Sequence, residues 1–170
     1  MFNENWARWI YASVQAHFDE SEYFVEWNKY LEDRATYDAA GIIPLYIDGK
    51  GYNPNGVKDY IEVRMDGPDF VEVSNNNYRV ELLINVLLSI TKDENLQKAY
   101  LLAGRAQKLF TTIPVYRFGC EDIDNSTSVG CLKIINKGKL ETTNWGQPDA
   151  AIKQTQTTIE SHYIMKLIGD

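Results

Sequence analysis

From Tyr78 to Ile90 every even position is apolar: Tyr78, Val80, Leu82, Ile84, Val86, Leu88 and Ile90. The odd positions between them read Arg79, Glu81, Leu83, Asn85, Leu87 and Ser89. Alternation with a period of two puts successive side chains on opposite faces of a strand. One face of this strand is wholly apolar and the other turns half apolar along its length. Ordinary strands run to about five or six residues, so this one is roughly twice the usual length. In a chain of 170 residues such a strand outruns its own core and meets something else, which is a mark of assembly.

The last segment repeats the pattern. Thr155, Thr157, Ile159, Ser161, Tyr163, Met165 and Leu167 share one face, and Gln156, Thr158, Glu160, His162, Ile164 and Lys166 share the other. This predicts a second overlong strand. Its first half is polar on both faces, so it is not expected to run through the interior of a core there.

Shorter elements surround these two. Phe2, Trp6, Trp9, Ile10, Val14, His17 and Phe18 recur at three- and four-residue spacing and predict an amphipathic N-terminal helix ending near Asp19. Tyr23 to Leu31 fits a helix face (Tyr23, Trp27, Tyr30, Leu31) and a strand face (Tyr23, Val25, Trp27) equally well. Ile42 to Ile47 reads as a short strand, placed at an edge because Pro44 cannot donate to a ladder. Ile61, Val63 and Met65 alternate with Glu62, Arg64 and Asp66. Gly67-Pro68-Asp69 then turns the chain, and Phe70, Val71 and Val73 lead to Asn75-Asn76-Asn77 and a hairpin with the long strand. A second helix, capped by Thr91 or Asp93, carries Leu96, Ala99, Tyr100, Ala103, Gln107 and Phe110 on one face, with Ala103 and Gly104 small enough for close approach. Strands follow at Ile113 to Phe118 and Val129 to Ile135, and Asn136 to Pro148 reads as loop. The fold class expected is α/β in the α+β sense, one domain over 1–170. It has a mixed, mainly antiparallel sheet with two unusually long strands, packed by the N-terminal and the central helix.

Composition narrows the function. With 24 acidic against 17 basic residues the net charge is −7, and no block of like charges forms a tail. Tight sequence-independent DNA binding needs a basic footprint and is disfavoured. Neither a signal peptide nor an apolar run long enough for a membrane span is present, so no membrane partner is expected. Four Trp and eleven Tyr suit a core and an interface alike. Cys120 and Cys131 flank a polar loop holding Asn125-Ser126-Thr127; they read as buried free thiols, with pairing across a hairpin as the alternative.

Catalytic and ligand-binding patterns fail one by one. His17 lies on an apolar helix face, where a satisfied core histidine is the default. His162 sits near Glu160 and Lys166 on a polar strand face, a salt-bridging row and at most a weak proton-transfer candidate. Asp122 to Lys133 starts like a calcium loop but has Thr127 where glycine is needed and Lys133 where a bidentate glutamate is needed. Gly49, Gly51 and Gly56 make no dinucleotide fingerprint or phosphate loop. The two cysteines lack the partners of a zinc site, and there is no nucleophile elbow. No cofactor and no metal are expected, and the protein is expected to act by shape without turnover.

The order of elements resembles the tail-terminator (tail-completion) proteins of tailed bacteriophages, with related neck proteins as cousins. The resemblance rests on the N-terminal amphipathic helix, the strand block Tyr60 to Met65, the Asp66-Gly67-Pro68 turn and the long strand Tyr78 to Ile90. The helix Leu96 to Phe110 and the closing strand with Ile159-Glu160-Ser161-His162-Tyr163 complete it. Asn136 to Pro148 falls outside it. The resemblance implies a structural virion protein of the tail and neck, assembled in the host cytoplasm. It forms a homohexameric ring that ends the tail-tube protein, presents a surface to the head-side neck or stopper protein, and lets double-stranded DNA pass without tight binding. A closed ring needs two complementary patches per subunit, and overlong strands supply them. An acidic channel repels phosphate, which suits transit.

On this reading the subunit-interface candidates are Arg79, Glu81, Leu83, Asn85, Leu87, Thr157, Glu160 and His162, and the partner-facing turn is Asp66, Gly67, Pro68 and Asp69. The alternatives are a tail-tube or other connector block that polymerises, a small cytosolic enzyme using Asp66, Arg64 and His162, and a monomeric binding module.

Overall fold

The computed structural model describes residues 2–19, 21–48, 57, 59–91, 97–117, 128–136, 140–145 and 154–169. The first helix, α1 (Trp6–Asp19), is launched by an Asn turn in which the Asn5 N–H donates to Asn3 Oδ1 at 2.9 Å. Its buried stripe is Trp6, Trp9, Ile10, Ser13, Val14 and Phe18, the three- and four-residue spacing of an amphipathic helix. Phe2, expected on that stripe, precedes the helix. Its ring meets Trp6, Phe70 and Tyr78 edge-on at 5.0, 5.1 and 5.6 Å.

The ambiguous stretch after α1 is both things in succession. Phe24–Glu26 forms strand β1, and Trp27–Glu32 forms helix α2. Glu26 makes the switch, because its carboxylate accepts the N–H groups of Asn28 and Lys29 and satisfies the free donors of the helix start. A second short helix, α3 (Arg34–Ala39), leads to strand β2 (Ile43–Ile47). β2 is parallel to β1 on one side and to β3 (Tyr60–Ser74) on the other. Pro44 therefore does not mark an edge. The outer neighbour is only three residues long, so few ladder bonds depend on the missing N–H.

β3 and β4 (Asn77–Thr91) form a hairpin across Asn75-Asn76, with Asn76 at φ 60° in the left-handed region that asparagine tolerates. The reversal is here and not at Gly67-Pro68-Asp69, where β3 runs on. Thr91 is the last residue of β4, where its N–H donates to Asp59 Oδ1 at 2.7 Å; Asp93, Leu96 and the rest of 92–96, where either cap would act, lie outside the described residues. Helix α4 (Gln97–Gln107) buries Ala99, Leu102, Ala103 and Ala106. Tyr100, expected on that face, is half exposed, and Gly104 faces open space. The stripe keeps Ala99 and Ala103 but is rotated by less than one residue position, taking in Leu102 and Ala106 in place of Tyr100 and Gln107, because the small alanines, not the tyrosine, let the helix approach the sheet.

β5 (Ile113–Tyr116), β6 (Ser128–Asn136), β7 (Leu140–Trp145) and β8 (Gln154–Ile168) complete the chain. The expected loop at Asn136 to Pro148 thus contains a strand. The order across the sheet is β1-β2-β3-β4-β8-β6-β5, with β7 also paired to β8. This is a mixed, mainly antiparallel α+β fold. β8 lies between β4 on one side and β6 and β7 on the other, so its polar first half is paired along both edges.

The two faces of the sheet have different fates. α1 and α4 lie on one face, over Ile61, Val63, Val80, Leu82, Ile84, Val86, Leu88, Ile159 and Met165, all buried. Ser13 Oγ accepts the Tyr116 N–H at 3.0 Å and His17 Nε2 donates to the Leu109 carbonyl at 2.7 Å, tying α1 to β5 and to the end of α4. A smaller core of Trp27, Tyr30 and Val57, with Tyr46 and Tyr60, sits on the opposite face at the β1–β2 end. Cys131 is a free thiol and exposed, not buried, while Cys120 lies outside the described residues. Among the described residues no helix is long and apolar enough to cross a membrane.

Burying a leucine or isoleucine side chain contributes about 1.5–3 kcal/mol, and an unpaired carboxylate in its place costs several kcal/mol more. With total stability of ~5–15 kcal/mol, Leu82→Asp or Ile84→Asp is expected to leave the chain unfolded by circular dichroism. Arg79→Ala is expected to melt close to wild type. Tyr163 is buried with its hydroxyl unpartnered among the described residues, and burial pushes that phenol above its ordinary range. Tyr163→Phe removes an unsatisfied group and is expected to raise the melting temperature; a fall would show that the hydroxyl has a partner.

Candidate assembly surface

The face opposite α1 and α4 is built by three antiparallel rows. β4 contributes Arg79, Glu81, Leu83, Asn85 and Leu87, whose partners on β8 are Lys166, Ile164, His162, Glu160 and Thr158 in that order. β3 adds Glu62 beside Leu87, Arg64 beside Asn85, Asp66 beside Leu83 and Asp69 beside Glu81. α2 covers this side only at the β1–β2 end. The remainder is bare among the described residues.

Seven of the eight interface candidates fall together here. Thr157 does not: its register partner is Leu88, in the row of the helix-covered face. The alternation that identified the face also places Thr157 with Ile159, so the sequence held the signal against it.

All four turn candidates lie in a β-bulge. Asp66 pairs with Leu83 and Asp69 with Glu81, so Gly67 and Pro68 together oppose the single residue Leu82. One extra residue reverses the alternation downstream. Asp66 and Asp69 therefore both sit in rows of the bare face, although they are three apart. Phe70 moves to the core row opposite Val80, where it stacks over Trp6 at 6.1 Å. Gly67 has φ +102°, which L side chains rarely adopt, and an added Cβ would lie 3.0 Å from the Glu81 carbonyl oxygen. Glycine is required at this point. The sequence carried a sign of the bulge in the switch of inward positions from odd (Ile61, Val63) to even (Phe70).

Below the bulge the surface dips into a groove of about 320 Å³ lined by Asp66, Asp69, Glu81, Leu83, Ile135 and His162, among others. Some of the charged residues around it lie against a neighbour. Arg79 Nε meets Glu81 Oε1 at 2.8 Å, and His162 Nε2 lies 3.3 Å from Glu160 Oε1. Arg64 forks onto Glu62 at 2.9 and 3.2 Å and is not among the groove residues. The trio considered for an enzyme is therefore split. Asp66 and His162 share the groove while Arg64 is directed to Glu62. The exposed pairs among these, Arg79–Glu81 and His162–Glu160, contribute about 0–1 kcal/mol each, whereas Glu62 is buried beneath Arg64. With Asp66 and Asp69 added to these pairs the surface is acidic on balance, and half-buried Leu83, Leu87 and Ile164 stand among the charges. Apolar centres within a polar rim are the usual composition of a protein interface.

A second concavity of about 230 Å³ lies beside α2, α3 and the start of α4. Its cations are also matched: Arg34 lies 3.7 Å from Asp38, and Lys98 pairs with Asp59. Tyr30 donates to Asp38 Oδ1 at 2.6 Å, and burial together with that hydrogen bond raises its pKa. Among the described residues no group of three or more His, Cys, Asp or Glu is placed to hold a metal ion.

No family model matches the chain. No curated protein matches it either. A solved structure whose name states no function is similar to it at 13% identity and a TM-score of 0.46, covering 94% of this chain and 97% of that one.

Gly67→Ala tests the bulge. Forcing a Cβ into the left-handed region against a carbonyl is expected to lower stability by about 1–3 kcal/mol in a denaturant melt, whereas Gly104→Ala, in open space on a helix, is expected to raise it by up to about 1 kcal/mol. A neutral Gly67→Ala would mean that the strand can straighten.

Proposed function

We propose that this chain is a structural virion protein that closes into a ring, caps the tube of a bacteriophage tail and joins it to the head-side connector. The observation that carries this reading is the bare face of β4 and β8. Two fifteen-residue strands support a surface larger than their own core needs, and half-buried Leu83, Leu87 and Ile164 stand on it among polar residues. Apolar residues grouped within a polar rim are a feature of protein–protein contact surfaces. Arg79, Glu81, Leu83, Asn85, Leu87, Glu160 and His162 form the contact surface, and Asp66 to Asp69 shape its rim.

The role is mechanical. Six copies related by rotation, each offering complementary patches, form a closed ring that adds no further rings to the tube. The net charge of −7 suits a passage for DNA, since phosphate is repelled and not held. No cofactor and no catalytic turnover belong to this reading. It rests on paired charges at Glu62–Arg64, Arg79–Glu81 and Glu160–His162 and on a His17 already engaged by a backbone carbonyl.

Native mass spectrometry tests the reading directly. The expected species is six times the 19.5-kDa chain. Leu83→Arg with Leu87→Arg is expected to abolish it while the melting temperature changes by no more than about 2 °C, since the positions are not in the core. Monomer alone at micromolar concentrations would contradict the ring, and open fibres would favour a tube block.

A further inference from the structure

A sheet that stops must leave unpaired backbone at its edges, and here the edges are unequal. β2 covers β3 only from Ile61 to Val63. Beyond the bulge, Asp69–Ser74 pairs with β4 on one side and with nothing among the described residues on the other. β7, Leu140–Trp145, pairs with β8 alone. The other two edges are short: β1 has three residues, and β5 has four including Pro114. Among the described residues that leaves two edges of six residues each. Neither contains a lysine or proline, although Asp69, Glu72 and Glu141 put charges on them. Val71 and Val73 on the β3 edge are 42% and 55% exposed, so this edge, unpaired among the described residues, also presents two apolar side chains.

The directions and levels of the two edges also fit each other. β3 and β8 are both antiparallel to β4, and β7 is antiparallel to β8. β7 therefore runs antiparallel to β3. A second copy set beside the first in the same orientation brings its β7 to β3 in the antiparallel sense, whereas a copy related by a twofold axis brings β3 to β3. The edge of β3 stands level with β8 residues 164–168, and β7 stands level with 154–159. The two edges occupy diagonally opposite corners of the sheet, about ten residues or ~33 Å apart along the strands.

We propose that Asp69–Ser74 of one copy accepts β7 of the next as an added antiparallel strand, so that neighbouring subunits are joined through backbone hydrogen bonds from corner to corner. The proposal rests on the ring reading for closure only. Strands inclined to the ring axis absorb the stagger and let the last copy meet the first, as in a closed barrel; strands that are not inclined carry the same seam into a filament. Backbone pairing supplies the attachment, and Val71 and Val73 supply apolar contact on the bare face beside it.

Hydrogen exchange of the full chain, assembled and as dilute monomer, tests this by mass spectrometry. The expected result is that fast-exchanging amides in 69–74 and in 140–145 are lost together on assembly, while those of 113–116 keep their rate. Val71→Lys with Val73→Lys is expected to abolish assembly and leave the melt unchanged. Slowing confined to 69–74 would overturn the proposal in favour of β3 meeting β3. A six-subunit particle with neither segment slowed would overturn the seam and leave the ring standing. Open fibres with both segments slowed would support the seam and remove the ring. A chain monomeric at every concentration would overturn both.

Discussion

The pairing of β4 with β8 governs the rest of the molecule. It runs without interruption from Asn77 against Ile168 to Thr91 against Gln154. An unbroken antiparallel ladder of that length fixes which face every side chain takes, because a slip of one residue would exchange the faces entirely. Val80, Leu82, Ile84, Val86, Leu88 and Ile90 are thereby committed to one side, and α1 and α4 have somewhere to pack. The same constraint sends Leu83, Asn85 and Leu87 to the other side, whether or not anything within the chain covers them. The bare face is a geometric consequence of the covered one.

The bulge at Gly67-Pro68 adjusts this plan at one place. Had β3 kept its alternation, Phe70 would have faced away from α1, and the aromatic cluster of Phe2, Trp6, Phe70 and Tyr78 could not form. The extra residue brings Phe70 inward and anchors the far end of the hairpin to the N-terminus. It also sets Asp66 and Asp69 on one side and hollows the surface between them. One glycine conformation thus links core packing to the shape of the outer surface.

Period-two patterns were legible because both long strands have one face against a core, and burial enforces alternation. The bare face was legible for the same reason, by subtraction. What misled was residue chemistry read without its neighbours. Gly67-Pro68 has the composition of a turn, yet the ladder with β4 continues on both sides of it. Pro44 has the composition of an edge, yet a three-residue strand lies outside it. β7 lies in a segment without apolar alternation and read as loop, yet it pairs with the polar start of β8. Tyr100 was placed on the core stripe by its hydrophobicity, whereas close packing selected the smaller alanines. Strand pairing between distant segments, such as β4 with β8, leaves no local trace in a single sequence.

The central claim is that the uncovered side of the β4–β8 spine exists to be covered by another protein. Hydroxyl-radical footprinting of the monomer and of the assembled particle measures this most directly, because oxidation reports solvent access at single side chains. The account predicts that Leu83, Leu87 and Ile164 lose most of their reactivity on assembly, while Tyr100 and Leu101, exposed on α4, keep theirs. Protection of Tyr100 and Leu101 with Leu83, Leu87 and Ile164 unchanged would contradict it.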